Sequence, residues 1–132
     1  MRAWLVAGYM ASLHAAVAEH DLHDSVTIEE RWVSEEEKAD RLSGALASAY
    51  VPYDEDSYGY PTIEAAHARR CTVTVTDSGG VPEFVTDGVT GLAVAPQAEA
   101  LAEAFDRLHA DRALARRLGE ASRERVAALG ID

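Results

Sequence analysis

The chain has 132 residues, 48% of them hydrophobic, and this suits one globular domain with a single core. No apolar run approaches the roughly 20 residues a bilayer span needs. The net charge of −11, with 23 acidic residues against 12 lysines and arginines, argues against nucleic acid as a partner. A small diphosphate stays open as a ligand, because backbone amides can hold one without net positive charge.

In chain order, strands alternate with helices. The short apolar run at residues 3–8 predicts a first strand, with no cleavage pattern that would make it a signal peptide. Residues 10–20 predict a helix with Leu13, Ala16 and Val17 on one face. Val26-Thr27-Ile28 predicts a second strand. Ser34, with Glu37 three residues on, is a capping box opening a helix that places Leu42 and Leu46 on its buried side. Residues 47–51 predict a third strand, stopped by Pro52. After an acidic loop at 53–58, Pro61 stands in the first turn of a helix running to about Arg70, where its absent N–H costs nothing.

Residues 71–76 alternate with β-branched types and predict a strand. A short helix at 81–86, turns at Asp87-Gly88 and Thr90-Gly91, and a strand at 92–94 follow. Leu101, Ala104, Phe105 and Leu108 mark an amphipathic helix, and Asp111 caps a last helix carrying Leu114, Leu118 and Val126. The pattern implies one domain over residues 1–132, of α/β class: a Rossmann-like, mostly parallel sheet with helices on both faces. Ligands of such sheets bind beyond the carboxyl ends of the strands.

Two loops at that end stand out. In the first, Asp56 and Glu64 flank Tyr58-Gly59-Tyr60-Pro61, and Glu64 lies one turn into the helix, its side chain leaning toward the N-terminus. In the second, Asp77-Ser78-Gly79-Gly80 leads into Val81-Pro82-Glu83, so two amides without side chains precede a helix. Together they suit a ligand with a diphosphate and sugar hydroxyls, since helix-start amides bind phosphate and carboxylates accept from hydroxyls. A capped helix with a solvated acidic approach, and a glycine turn needing positive φ, account for the same residues.

The ordered series resembles the carboxyl-terminal, donor-binding lobe of GT-B fold glycosyltransferases, in particular the family-four retaining group. That group carries an acid, seven residues and then a glutamate, matched by Asp56 through Glu64 with aspartate in the first acidic position. Glu55 lies one residue too early for that spacing. The group also carries Ser-Gly-Gly-Val-Pro-Glu, matched by Ser78 to Glu83, and Asp-Gly-x-Thr-Gly, matched by Asp87 to Gly91. The resemblance implies that Glu64 grips the ribose of a nucleoside-diphosphate sugar and Asp56 faces its sugar. Tyr58, Gly59 and Tyr60 would present backbone groups, and Gly79 and Gly80 would line the same pocket. It implies transfer of a hexose with no cofactor beyond that donor and no metal.

The resemblance also marks what the chain lacks. Relatives open this lobe with a further strand and helix carrying an arginine and a lysine for the diphosphate, and they have an amino-terminal acceptor lobe. Neither has a counterpart in this sequence, so the chain resembles a lobe truncated at its start, one with a mis-called start, or half of a split protein. The implied partner is an acceptor lobe in cis or in trans, and unpaired strand edges invite self-association. Alone, the chain is expected to transfer sugar weakly or not at all.

The remaining candidates have structural readings. Tyr53-Asp54-Glu55-Asp56 fits no standard calcium loop. His67 shares a helix face with Glu64, and Arg31 follows the second predicted strand. Arg69 and Arg70 suit the carboxyl end of their own helix. The one cysteine, Cys71, reads as an inert core thiol. It allows no internal disulfide and fits a cytoplasmic compartment, with the full-length enzyme peripheral to the inner face of the membrane by resemblance.

Overall fold

The computed structural model describes residues 2–132, with side chains from Gly8 onward. The chain forms two compact units, one running to Val33 and the other spanning Ser34–Asp132.

The first unit holds one helix, α1 (Arg2–Glu19), followed by an irregular segment. The strand expected at 3–8 is therefore helical. A short apolar run fits either state by periodicity, and here it continues without proline into the helical pattern beyond it. Extending an existing helix is easier than nucleating a separate element. Asp21, at φ 52°, reverses the chain at the end of α1, and the Leu22 N–H bonds the Val17 carbonyl at 2.9 Å. The expected strand at Val26–Ile28 is irregular as well. The Val26 N–H turns back to Leu22 O at 2.8 Å instead of pairing with a strand, and Val26 is left exposed.

The second unit opens on α2 (Glu35–Gly44). Ser34 caps it as its spacing predicts, its Oγ accepting from the Glu37 N–H at 3.1 Å. Helix α2 ends at Gly44, so Leu46 lies beyond it and is exposed, contrary to its expected place on the buried face. Three parallel strands follow, β1 (Ser48–Ala49), β2 (Thr72–Val75) and β3 (Gly91–Val94), in spatial order β1-β2-β3. Ser48 pairs with Thr72, and Thr72 through Val75 pair with Gly91 through Val94.

All four residues of β2 are buried, so both faces of the central strand are covered. One hydrophobic cluster joins Cys71, Val73 and Leu92 to Ala104 and Leu108 of α5 (Ala98–Ala110) and to Leu114, Ala115 and Leu118 of α6 (Arg112–Ala128). Asp111 caps α6, its Oδ1 accepting from the Leu114 N–H at 3.0 Å. The other cluster gathers Ala66 of α3 (Tyr60–His67), Val81 and Phe84 of α4 (Val81–Phe84), Val85, and Val126 near the end of α6. This is the expected parallel α/β layer, with fewer strands than the sequence pattern suggests.

Helix α3 stops at His67, short of Arg70. Arg69 takes the left-handed conformation at φ 61°, and the Arg70 N–H closes onto the Ala65 carbonyl at 2.8 Å. Backbone groups thereby satisfy the end of α3, so the two arginine side chains are not needed there. Arg70 instead reaches α2, donating from Nε to Leu42 O at 2.8 Å and from Nη2 to Ser43 O at 2.5 Å. Arg69 pairs with Glu120 of α6 at 2.7 Å. The expectation that both cap their own helix is corrected on this point.

Candidate functional site

The two glycine-bearing loops are joined directly. Beyond the ends of β1 and β2, the Asp54 N–H bonds Asp77 O at 3.0 Å and the Glu55 N–H bonds Ser78 O at 3.2 Å. The Gly80 N–H bonds Glu55 O at 2.7 Å. Parallel pairing thus continues past the carboxyl ends of the strands and holds both loops side by side.

Each glycine of the pair has its own reason. Gly79 sits at φ 73°, in the left-handed region, and a side chain there would also strike the Glu55 backbone. Gly80 has an ordinary φ of −77°, but a Cβ on it would stand 2.8 Å from the Ser57 carbonyl oxygen. Its amide is committed to Glu55, so it does not serve as the free donor that the sequence suggests.

Tyr50 and Glu55 organise the acidic loop. The Tyr50 hydroxyl donates to Glu55 Oε2 at 2.8 Å, and Glu55 Oε1 accepts from the Asp56 N–H at 3.1 Å and the Ser57 hydroxyl at 3.4 Å. The Tyr50 ring also fills the space beside Gly59, which lies at φ 84°. The Tyr50 hydroxyl, with Asp56 and Ser57 behind it, holds the Glu55 carboxyl below its ordinary range. The same hydrogen bond, followed by burial, raises the Tyr50 phenol. Neither residue stands out as organising in the sequence. A tyrosine at a strand end and an acid five residues on are too common to mark a pair, and motif spacing favours Asp56 over Glu55.

The loops enclose a cavity of about 480 Å³ lined by Asp54, Glu55, Asp56, Ser57, Tyr58, Gly79, Gly80 and Glu83. Four of these residues are acidic, and none is a lysine or arginine. Such a lining accepts hydrogen bonds from hydroxyls and repels phosphate. The Tyr58 ring packs on Phe84 with centroids 5.5 Å apart, which anchors the loop to α4. Tyr60, in the first turn of α3, leaves its ring almost fully exposed.

Glu64 does not line this cavity. It faces a cleft of about 400 Å³ between α2 and α3, with Glu35, Lys38, Ala39, Leu42, Ser43, His67 and Ala68. Residues 64, 67 and 68 share one face of α3 by helical spacing, so His67 borders the pocket that holds Glu64. The Lys38 ammonium lies 2.9 Å from Glu35 and 3.5 Å from Glu64. Its hydrogen bond to Glu35, the largest influence, raises its pKa despite some desolvation. The structure therefore brings Asp56, Tyr58, Gly79 and Gly80 together. Gly59 and Tyr60 lie along the chain between them and Glu64, at the start of α3. Gly59 gives that helix no side-chain cap.

Parallel strands whose terminal loops converge on a polar cavity define a Rossmann-like α/β fold. The chain belongs to the glycosyl transferases group 1 family, whose sequence profile matches residues 4–125. It is 36% identical over 104 residues to an alpha-maltose-1-phosphate synthase of Mycobacterium tuberculosis, covering 71% of this chain and 27% of that protein. The same enzyme of Mycolicibacterium smegmatis is 39% identical over 104 residues, at the same coverage of both chains. The chain thus spans little more than a quarter of these relatives.

Among solved structures, a sucrose-phosphate synthase from Thermosynechococcus elongatus superposes with a TM-score of 0.81 at 33% identity, over 94% of this chain and 31% of that one. The C-terminal domain of a glycosyl transferase group 1 family protein from Francisella tularensis superposes with a TM-score of 0.78 over 94% of this chain and 63% of its own. At 17% identity that second likeness is one of fold. The architecture is the Rossmann-like half of a GT-B fold.

Proposed function

We propose that this chain is the donor-binding part of a retaining glycosyltransferase that moves a hexose from a nucleoside-diphosphate sugar to an acceptor. The observation that carries this reading is the acid-lined cavity where the two glycine loops are hydrogen-bonded together at the carboxyl end of the sheet. The hexose occupies that cavity, with Asp56 accepting from its hydroxyls. The diphosphate lies at the start of α3, which has no side-chain cap and whose Tyr60 and Thr62 amides precede the first intrahelical bond, from the Ile63 N–H to Gly59 O. The ribose reaches Glu64, which leaves Lys38 to bind it. The relatives' names, alpha-maltose-1-phosphate synthase and sucrose-phosphate synthase, support a sugar-transferring role.

Transfer needs positive charge at the leaving diphosphate and an acceptor held in line. The cavity contributes acids only, so both must come from an acceptor lobe or other chain segments, in cis or in trans. A non-catalytic nucleotide-sugar-binding module working beside another chain is the second reading, and the absence of a cation from the cavity lining favours it.

Saturation-transfer NMR with a panel of nucleoside-diphosphate hexoses tests the proposal. Asp56→Asn should weaken the hexose signals, and Glu64→Gln the ribose signals. Unchanged signals in both variants would remove the donor assignment. The purified chain should release little or no nucleoside diphosphate with the same donors, and rapid release would refute its catalytic dependence on a partner.

A further inference from the structure

We propose that the chain carries a second ligand site, for a phosphate group, at the opposite end of the sheet from the acidic cavity. A cavity of about 430 Å³ is lined by Ser43, Gly44, Ala45, Leu46, Arg70, Arg112, Ala115 and Arg116. Residues 43–46 lead into β1 and Arg70 leads into β2, whereas the acidic loops follow those strands. With the strands parallel, the two cavities lie at opposite ends.

Three features make this an anion site. First, three arginines and no acid line it, in a chain whose net charge is −11. A local cluster of this kind focuses anions despite the overall charge. Second, no carboxylate lies within ion-pair distance of Arg70, Arg112 or Arg116 among the described residues. The neighbouring Asp111 carboxylate is occupied with the Leu114 amide.

Third, the site is partly pre-organised. Arg70 is held by the carbonyls of Leu42, Ser43 and Arg69. Three of its five N–H donors are used there and two are left. Arg112 and Arg116 stand one turn apart at the start of α6, whose macrodipole adds positive potential. Arginine forks match tetrahedral dianions in pairs of hydrogen bonds. The volume exceeds what one phosphate fills and falls within the range of small-metabolite sites. The ligand is therefore a small phosphate compound, either free phosphate or a phosphorylated metabolite.

The test is an amide NMR titration of the whole chain with inorganic phosphate at constant ionic strength, with chloride as control. Saturable shifts are expected at residues 43–46 and 112–116, with none from chloride. The double variant Arg112→Gln/Arg116→Gln changes two exposed side chains and should keep the parent spectrum elsewhere. It should bind phosphate at least about tenfold more weakly, the loss that accompanies charge-assisted hydrogen bonds. A hexose phosphate binding more tightly than inorganic phosphate would assign an esterified ligand, and equal affinity would assign free phosphate. Absence of saturable shifts at these residues, or equal affinity in the double variant, would overturn the site. Shifts confined to residues 54–58 and 79–83 would also overturn it, and would bear only on the donor cavity.

Discussion

Gly80→Ala sets two effects of opposite sign against each other. Alanine accepts the backbone found there, φ −77° and ψ −13°. By restricting the unfolded chain it would stabilise the fold by about 0.4–1 kcal/mol. Against this, the new Cβ would stand 2.8 Å from Ser57 O, 3.1 Å from Ser57 C and 3.5 Å from Glu55 O. All three are backbone atoms, so no side-chain rotation relieves the crowding and the acidic loop must move away. Overpacking of that kind costs about 1–3 kcal/mol. The same movement stretches the 2.7 Å bond from the Gly80 N–H to Glu55 O. Losing it adds roughly 0.5–1.5 kcal/mol.

The crowding wins, with a net destabilisation of about 1–3 kcal/mol. Urea unfolding with an unchanged slope would measure it. Hydrogen exchange at the Gly80 amide should quicken as the loops part. Gly44→Ala is the control, because a Cβ there meets nothing within 4 Å. Were Gly80→Ala as stable as the parent chain, the close approach of the two loops would be refuted.

Two further outcomes follow from the same structure. Tyr50→Phe removes the hydroxyl that chiefly lowers the Glu55 carboxyl. Because the folded value lies below the ordinary 4.5, the contribution of Glu55 is present above that pH and fades as pH falls through the lowered value. The variant should move the Glu55 midpoint up toward 4.5 in a carboxyl NMR titration, and an unmoved midpoint would show that Tyr50 does not hold this loop. Burial pushes the Cys71 thiol up to about 11, so iodoacetamide at neutral pH should label it only as fast as the chain unfolds. Rapid labelling of the folded chain would contradict its place in the core.

Signals that depend on a few neighbouring residues were legible in the sequence. The Ser34 capping box, the Asp111 cap, Pro61 in the first turn of α3 and the strand at 72–75 all appear where local chemistry puts them. So do the two glycine loops beyond the strands, since β-to-helix punctuation is written within each loop. The run at 3–8 is ambiguous in the sequence because its apolar pattern, taken alone, fits both a strand and a stretch of helix, and it is helical in the fold.

What tertiary structure alone decided lies across longer separations. Pairing of β1 with β2 brings Glu55 to Gly80 and so commits an amide that local inspection leaves free. Arg70 caps a helix that ended many residues earlier. Glu64 turns to Lys38 in a cleft apart from the acidic cavity, because α2 lies across that cleft from the 64/67/68 face of α3. Helical and strand periodicities carry information over a turn or two of chain. Which donor meets which acceptor was settled only when the parallel strands aligned and the helices closed over them.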